Sequence, residues 1–210
     1  KHAVVIGGGP DGMEAARETD LRGHRVTLLE RQGRRGGSML LASTVHAENE
    51  AFFQWLTQQV KDSSIDLRLG TEASAELLFD LKPDAIVVAT GARVATPDIP
   101  GSDQPNVFSG AQLRRVMEGQ ATAADFTFLP TPLRNLATAF MRAISTYLKP
   151  ALLRNITRLW LPLGRRVVIV GADLAAIELA EFLCQRGRTV QILEAGKRVA
   201  PEVGHKRLTE

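Results

Sequence analysis

Short, mostly apolar runs that end in glycine or an acid set the rhythm of this chain. His2–Ile6 runs into Gly7, residues 25–29 into Glu30, residues 85–89 into Thr90-Gly91, and residues 168–170 into Gly171. Apolar runs of this length suit strands of a buried parallel sheet. Between them the period changes from 2 to 3.6. Residues 13–21 read as a helix, and so does the stretch from about 46 to 61, where Phe52, Phe53, Leu56 and Val60 share one face. Residues 39–44 follow a loop at residues 34–38 and precede that helical stretch, and residues 65–69 alternate like a strand. Pro97, Pro100 and Gly101 then break the chain into an extended connection. Two parallel strands joined by a helix, a third after a longer excursion and a fourth ending in Thr-Gly predict an open sheet that binds its ligand at the strands' carboxyl ends.

Part of this pattern occurs twice. Residues 4–30 and 168–194 align without a gap at an offset of 164, so that Gly7 meets Gly171, Glu14 meets Glu178, Gly23 meets Gly187 and Glu30 meets Glu194. In the first copy Gly7 permits the tight turn after the strand, Gly9 leaves room for a pyrophosphate, and Gly12 lets the helix lie close to the strand. The free amides and positive dipole end of that helix face the phosphates, while Glu30 is placed to accept hydrogen bonds from ribose hydroxyls. Two dinucleotide sites in one chain point to electron transfer between two cofactors. The copies are unequal, however. Asp173 stands where the middle glycine belongs and brings negative charge to the phosphate path, whereas Ala176 in the third glycine position fits the pattern. The second copy is either a working nucleotide site or a degenerate repeat that keeps the fold alone. Asp11, near the first helix N-terminus, is expected to point outward.

Gly7-Gly8-Gly9-Pro10, Gly12 to Arg17, Arg22-Gly23-His24, Val26-Thr27-Leu28, Glu30, Gly36-Gly37, Leu40 to Ser43, Pro83-Asp84-Ala85, Ala89-Thr90-Gly91-Ala92 and Ile99-Pro100-Gly101 carry a resemblance. They look like the C-terminal flavin and pyridine-nucleotide region of NADH:flavin oxidoreductases of the Old Yellow Enzyme type, the group of 2,4-dienoyl-CoA reductase and trimethylamine dehydrogenase. The resemblance implies that the first fingerprint binds FAD and the second NADH or NADPH. Gly7, Gly9, Pro10 and Gly12 would then hold the FAD pyrophosphate and Glu30 the adenosine ribose. Gly37 would add a backbone contact, Ala73 would lie beside the adenine, and Thr90-Gly91 would close over the cofactor. Asp11, Arg31, Ser38 and Ala89 would line the same site. Gly171, Asp173, Leu174 and Glu194 would form the NAD(P) site, with Glu194 suiting the free 2′-hydroxyl of NADH and Lys197 and Arg198 weakening that preference. In the whole enzymes, electrons pass from the nicotinamide through FAD and an iron-sulfur cluster to FMN in an N-terminal barrel that is outside this sequence. The cofactors supply that chemistry, so no catalytic side chain is assigned here.

The expected architecture is therefore α/β: a Rossmann-like FAD-binding domain with an open parallel sheet over residues 1–118, a helical insertion over 119–164, and the start of a second, NAD(P)-type βαβ unit over 165–210. Composition fits a cytoplasmic enzyme module, with 44% apolar residues and a formal net charge of +3 over 210 residues. Cys184 is the single cysteine and is read as core filler, which excludes a disulfide framework or a Cys-x-x-Cys redox pair within this sequence. His2, His24, His46 and His205 fall in unrelated segments, so no metal site is expected.

Residues 126–172 contain no acid and carry Arg134, Arg142, Lys149, Arg154, Arg158, Arg165 and Arg166. Leu133, Leu136, Ala137, Phe140, Met141, Ile144 and Leu148 form one helical stripe, and Leu152, Leu153, Ile156, Leu159 and Trp160 belong to a second helix after Pro150. Packing of this basic amphipathic pair on the flavin domain or the barrel is preferred to a membrane surface, an acidic partner or a CoA-phosphate contact. Nothing points to nucleic acid, since no aromatic stacking array accompanies the basic residues. The main rival to a reductase module is a non-catalytic ADP-binding or scaffold module. A simple NAD-dependent dehydrogenase is disfavoured, because it needs one fingerprint and not two.

Overall fold

The computed structural model describes residues 1–92, 98–117, 120–144, 149–159, 161 and 163–200. Pro97, Leu148, Trp160 and His205, all named above, lie outside the described residues. The chain divides into two compact units, residues 1–43 with 48–148 and residues 44–47 with 149–210, so the division falls inside the stretch expected as one insertion.

The first unit is built on four parallel strands, β1 (His2–Ile6), β2 (Arg25–Glu30), β3 (Asp66–Leu69) and β4 (Ala85–Val88), in the order β3-β2-β1-β4. Ala3 pairs with both Val26 and Ala85, which fixes β1 in the centre of the sheet. α1 (Pro10–Leu21) and α3 (Glu48–Asp62) cover one face. Their apolar stripes meet it through Met13, Ala16, Leu56 and Val60, packed on Val5, Val26 and Leu28. Most of these side chains are fully buried, each such burial contributing roughly 1.5–3 kcal/mol. β4 is an edge strand, as β3 is, and Ile86 and Val88 on it are 48% and 70% exposed although the run is wholly apolar.

Four elements are not legible in the apolar periodicity. α2 (Met39–Val45) is short, and α4 (Ala75–Leu81) starts at Ser74, whose hydroxyl accepts from the Leu77 amide. The chain after the expected extended connection forms α5 (Gly110–Met117), and the expected helical insertion opens with a 3-10 turn at Ala123–Phe126 before α6 (Thr131–Ile144). α6 keeps the predicted stripe, and Leu133, Leu136 and Phe140 on it are substantially exposed, so of the two expected packing partners the flavin domain does not cover them. Its arginines serve the connection instead. Arg134 donates to the carbonyls of Leu129 and Thr127, and Arg142 donates to that of Ala121.

The second unit holds α7 (Pro150–Leu159) and the repeated βαβ: β5 (Arg166–Val170), α8 (Leu174–Cys184) and β6 (Thr189–Leu193), with β5 and β6 parallel. α8 packs through Ala176, Ala180 and Leu183, spaced as one helical face. Cys184 corrects the sequence reading, for it is exposed. It ends the helix one position past that buried face, where its carbonyl receives the Gly187 amide. No described helix is long and apolar enough to cross a membrane.

Candidate dinucleotide-binding sites

The first turn forms because strand and helix meet at backbone contacts that no side chain could share. Gly7 takes φ +112°, donates its N–H to the Leu29 carbonyl at 2.8 Å and leaves no space on the Ala89 side, where a methyl group would lie 2.3 Å from the Ala89 oxygen. A methyl on Gly12 would stand 1.8 Å from the Gly7 oxygen and 3.3 Å from the Ala89 side chain. Gly9 differs, since a methyl there would meet nothing within 4 Å. It is the N-cap of α1 and supplies no side-chain cap, so the first turn of α1 faces outward with free amides. Packing accounts for Gly7 and Gly12. The open space at Gly9 is the kind of cradle a phosphate fills.

Glu30, 8% exposed at the end of β2, reaches back to this turn. Its Oε2 accepts the Gly8 amide at 2.7 Å and its Oε1 the Gln32 amide at 2.7 Å. The loop after β2 returns to the same place. Gly36 donates to the Gly8 carbonyl at 2.8 Å, and a methyl on Gly37 would lie 3.3 Å from the Gly9 Cα. The chain after β3 closes the other flank, with Thr71 donating to the Glu30 carbonyl and Gly70 to that of Gln32, two to three residues before Ala73.

The structure thus brings Gly7, Gly9, Gly12, Glu30, Gly37 and Ala89 together, with Pro10 opening α1 and Thr90 beside Gly7. Asp11 is exposed in the first turn of α1, and Arg31, Ser38, Thr90 and Gly91 are exposed as well. Sequence reasoning missed the carbonyl of Gly8 as an anchor, and Gln32 and Arg35 as loop side chains with buried nitrogens. The signal available was the second glycine of the Gly36-Gly37 pair, which implied a close backbone approach by this loop.

The second turn repeats this geometry down to single bonds. Gly171 has φ +101° and donates to the Leu193 carbonyl at 2.8 Å, as Gly7 does to Leu29. Glu194 accepts the Ala172 amide at 2.8 Å and the Gly196 amide at 2.6 Å. These N–H donors, Gly196 first, hold its carboxyl below the usual glutamate range. Asp173 breaks the symmetry. It is the N-cap of α8, and its Oδ1 accepts the Ala176 amide at 2.8 Å, so the helix carries its own carboxylate where the first copy has open space. A shallow cleft over this turn is lined by Gly171, Ala172, Asp173, Glu194, Lys197 and Arg198, and Leu174 begins the helix beneath it.

A family model described as pyridine nucleotide-disulphide oxidoreductase matches residues 1–209. The chain belongs to that family. Within it, the relatives agree with the resemblance to Old Yellow Enzyme-type flavin oxidoreductases. The bilirubin reductase of Mediterraneibacter gnavus is 32% identical over 204 residues, which are 96% of this chain and 25% of that protein. A multifunctional alkene reductase/demethylase OYE of Caballeronia cordobensis is 31% identical over 130 residues, 60% of this chain and 19% of that one. Among solved structures, a 2-naphthoyl-CoA reductase complexed with 2-naphthoyl-CoA superposes at a TM-score of 0.68 with 26% identity, over 98% of this chain and 25% of that one. The chain therefore spans about a quarter of the length of the curated relatives it matches over most of its own length. The disulphide in the family's name has no cysteine pair here, since Cys184 stands alone in the sequence.

Proposed function

We propose that residues 1–92 bind FAD, that the β5–α8–β6 unit takes NADH or NADPH, and that together they form the reductase side of a larger cytoplasmic flavin oxidoreductase. The observation that carries this reading is the contrast between Gly12, closed by packing, and Gly9, open above free helix amides and flanked by the Glu30 carboxylate. FAD, when bound, supplies the redox chemistry. The chain's residues bind and orient it: the Gly7–Gly12 turn and the α1 amides face the pyrophosphate, Glu30 takes ribose hydroxyls with its remaining lone pairs, and Ala73 and Thr90-Gly91 flank the site. The family membership and the relatives' names support an oxidoreductase module within a longer enzyme, and the resemblance to Old Yellow Enzyme-type proteins supplies the rest of the reading, a partner that is an FMN-containing barrel with an iron-sulfur cluster. The test is the absorbance spectrum of the chain after FAD is added and excess removed. Retained flavin bands support the assignment, and a colourless chain at high FAD excess removes it.

A second reading applies to the βαβ copy alone, and one observation favours it. The Asp173 carboxylate already satisfies the Ala176 amide. In this reading the second copy keeps the fold and holds ADP or no nucleotide. Calorimetric titration with NADH and NADPH separates the two, because a working site gives saturable heat with NADH preferred by Glu194.

A further inference from the structure

The loop joining β2 to α2 carries two buried side-chain nitrogens that no group of the protein accepts from. Gln32 Nε2 and Arg35 Nε are both buried from solvent, and neither has a hydrogen-bond partner. Burial alone pushes the Arg35 guanidinium below its ordinary value, and no carboxylate offsets that burial. The nearest acid along the chain is Glu30, whose two oxygens are held by the Gly8 and Gln32 amides. Buried donors in native proteins are almost always paired, and a desolvated guanidinium without an acid is costly. The loop is also fixed in place. Gly36 donates to the Gly8 carbonyl and Gly37 sits against Gly9, so Gln32 and Arg35 belong to a segment anchored on the turn whose open side is at Gly9.

We propose that Arg35 is the counter-charge for the dinucleotide pyrophosphate and that Gln32 is a second side-chain donor to its phosphate–ribose stretch. This rests on the FAD reading of the first site. A pyrophosphate offers the several clustered acceptor oxygens that a guanidinium fork matches, and it supplies the negative charge that the loop itself lacks. Glu30 and Arg35 then divide the ligand, the acid taking the ribose hydroxyls and the base the phosphates. The arrangement leaves the ligand-free chain with a partly buried guanidinium whose Nε is unpaired, so Arg35 lowers stability until the ligand is bound.

The test uses the 210-residue chain and its R35L, R35K and Q32L variants, each titrated with FAD, ADP and adenosine by calorimetry and melted without ligand. For R35L the affinity for FAD and ADP is expected to fall about tenfold to a hundredfold, the range for a charge-assisted bond to phosphate, while adenosine binding is unchanged. R35K is expected to fall between wild type and R35L for FAD. Q32L is expected to lose roughly fivefold for FAD, as a neutral hydrogen bond would. Without ligand, R35L should melt at or above the wild-type temperature. The proposal is overturned if wild type binds FAD and R35L binds it equally well. It is also overturned if R35L lowers adenosine affinity and ligand-free stability together, since Arg35 would then be structural. If wild type binds neither FAD nor ADP, the FAD assignment itself fails, an outcome visible before any variant is compared.

Discussion

Gly8 donates its backbone N–H to Oε2 of Glu30 at 2.7 Å. The second copy reproduces the bond between Ala172 and Glu194 at 2.8 Å, and in each copy the other carboxylate oxygen accepts an amide two residues further on. The acid at the end of the second strand therefore ties the turn after the first strand to the turn after its own. It does so before any ribose arrives. Replacing Glu30 by Gln turns one acceptor into a donor that faces an N–H. We expect Glu30→Gln to lose about 1–3 kcal/mol of stability, the cost of leaving a buried amide unpaired, and to weaken FAD binding as well. Glu194→Gln should cost less, because Glu194 is exposed. Urea unfolding of both variants measures this, and an unchanged midpoint for Glu30→Gln would reduce Glu30 to a ligand residue alone.

Gly9 and Gly12 separate what the fold needs from what the ligand needs. Gly9→Ala adds a methyl to open space at an extended N-cap, φ −75°, so stability should change by no more than about 0.5 kcal/mol. Its effect should fall on FAD, whose phosphates lose the close approach. Gly12→Ala drives a methyl into the Gly7 carbonyl and forces the helix outward, costing roughly 1–3 kcal/mol as overpacking does. Thermal melts beside flavin titrations give the two profiles, and a Gly9→Ala chain that keeps full FAD affinity would contradict the assignment of that space.

The central strands, α1 and α3 were legible because mostly apolar runs and a 3.6 period report burial directly. Glu30 was legible as a residue, but its two amide bonds were not, since they depend on the turn folding back over it. α4 escaped because seven residues carry too little periodicity, although Ser74 was a usable N-cap signal. Cys184 was misread because apolar character alone cannot tell the buried face of α8 from its last turn. Gln32 and Arg35 were missed for a further reason: the Gly36-Gly37 pair signals that the loop approaches another backbone, but not that it lands on Gly8, nor which of its side-chain nitrogens end up buried.

Asp173 sets fold against ligand at one atom. Its Oδ1 caps the Ala176 amide, the same helix end a pyrophosphate would approach. Asp173→Gly removes the cap and opens the turn. A glycine N-cap retains most of the stability, so the loss should be a few tenths of a kcal/mol, while Asp173→Ala should lose about 1 kcal/mol. NADH binding should tighten in the glycine variant and much less in the alanine one, whose methyl still faces the phosphate path. Calorimetry on both variants decides this. Equal NADH affinity in wild type and Asp173→Gly would show that the carboxylate is no obstacle.

Asp125 predicts how the helical segment of the first unit responds to acid. The residue is 3% exposed. Its Oδ1 receives Arg115 at 2.5 Å, and its Oδ2 receives the Thr122 amide and hydroxyl at 2.8 and 2.9 Å, while Gln112 donates to its carbonyl. Burial by itself raises the carboxyl, but the Arg115 and Thr122 donors outweigh it and hold the group below the ordinary 3.8. A carboxyl whose value is lower in the folded state stabilises fully above its unfolded value, and that stability is lost as pH falls through the folded value. At neutral pH Asp125→Asn should therefore cost about 1–3 kcal/mol, because donors arranged for a carboxylate lose their charged acceptor. The gap between wild type and Asp125→Asn should narrow once the pH drops below about 4, where Asp125 of the unfolded chain takes up its proton before the folded residue does. Melting temperatures of the two chains from pH 7 to pH 3 measure that gap, and a gap that stays constant across the range would mean that Asp125 contributes through packing and not through its charge.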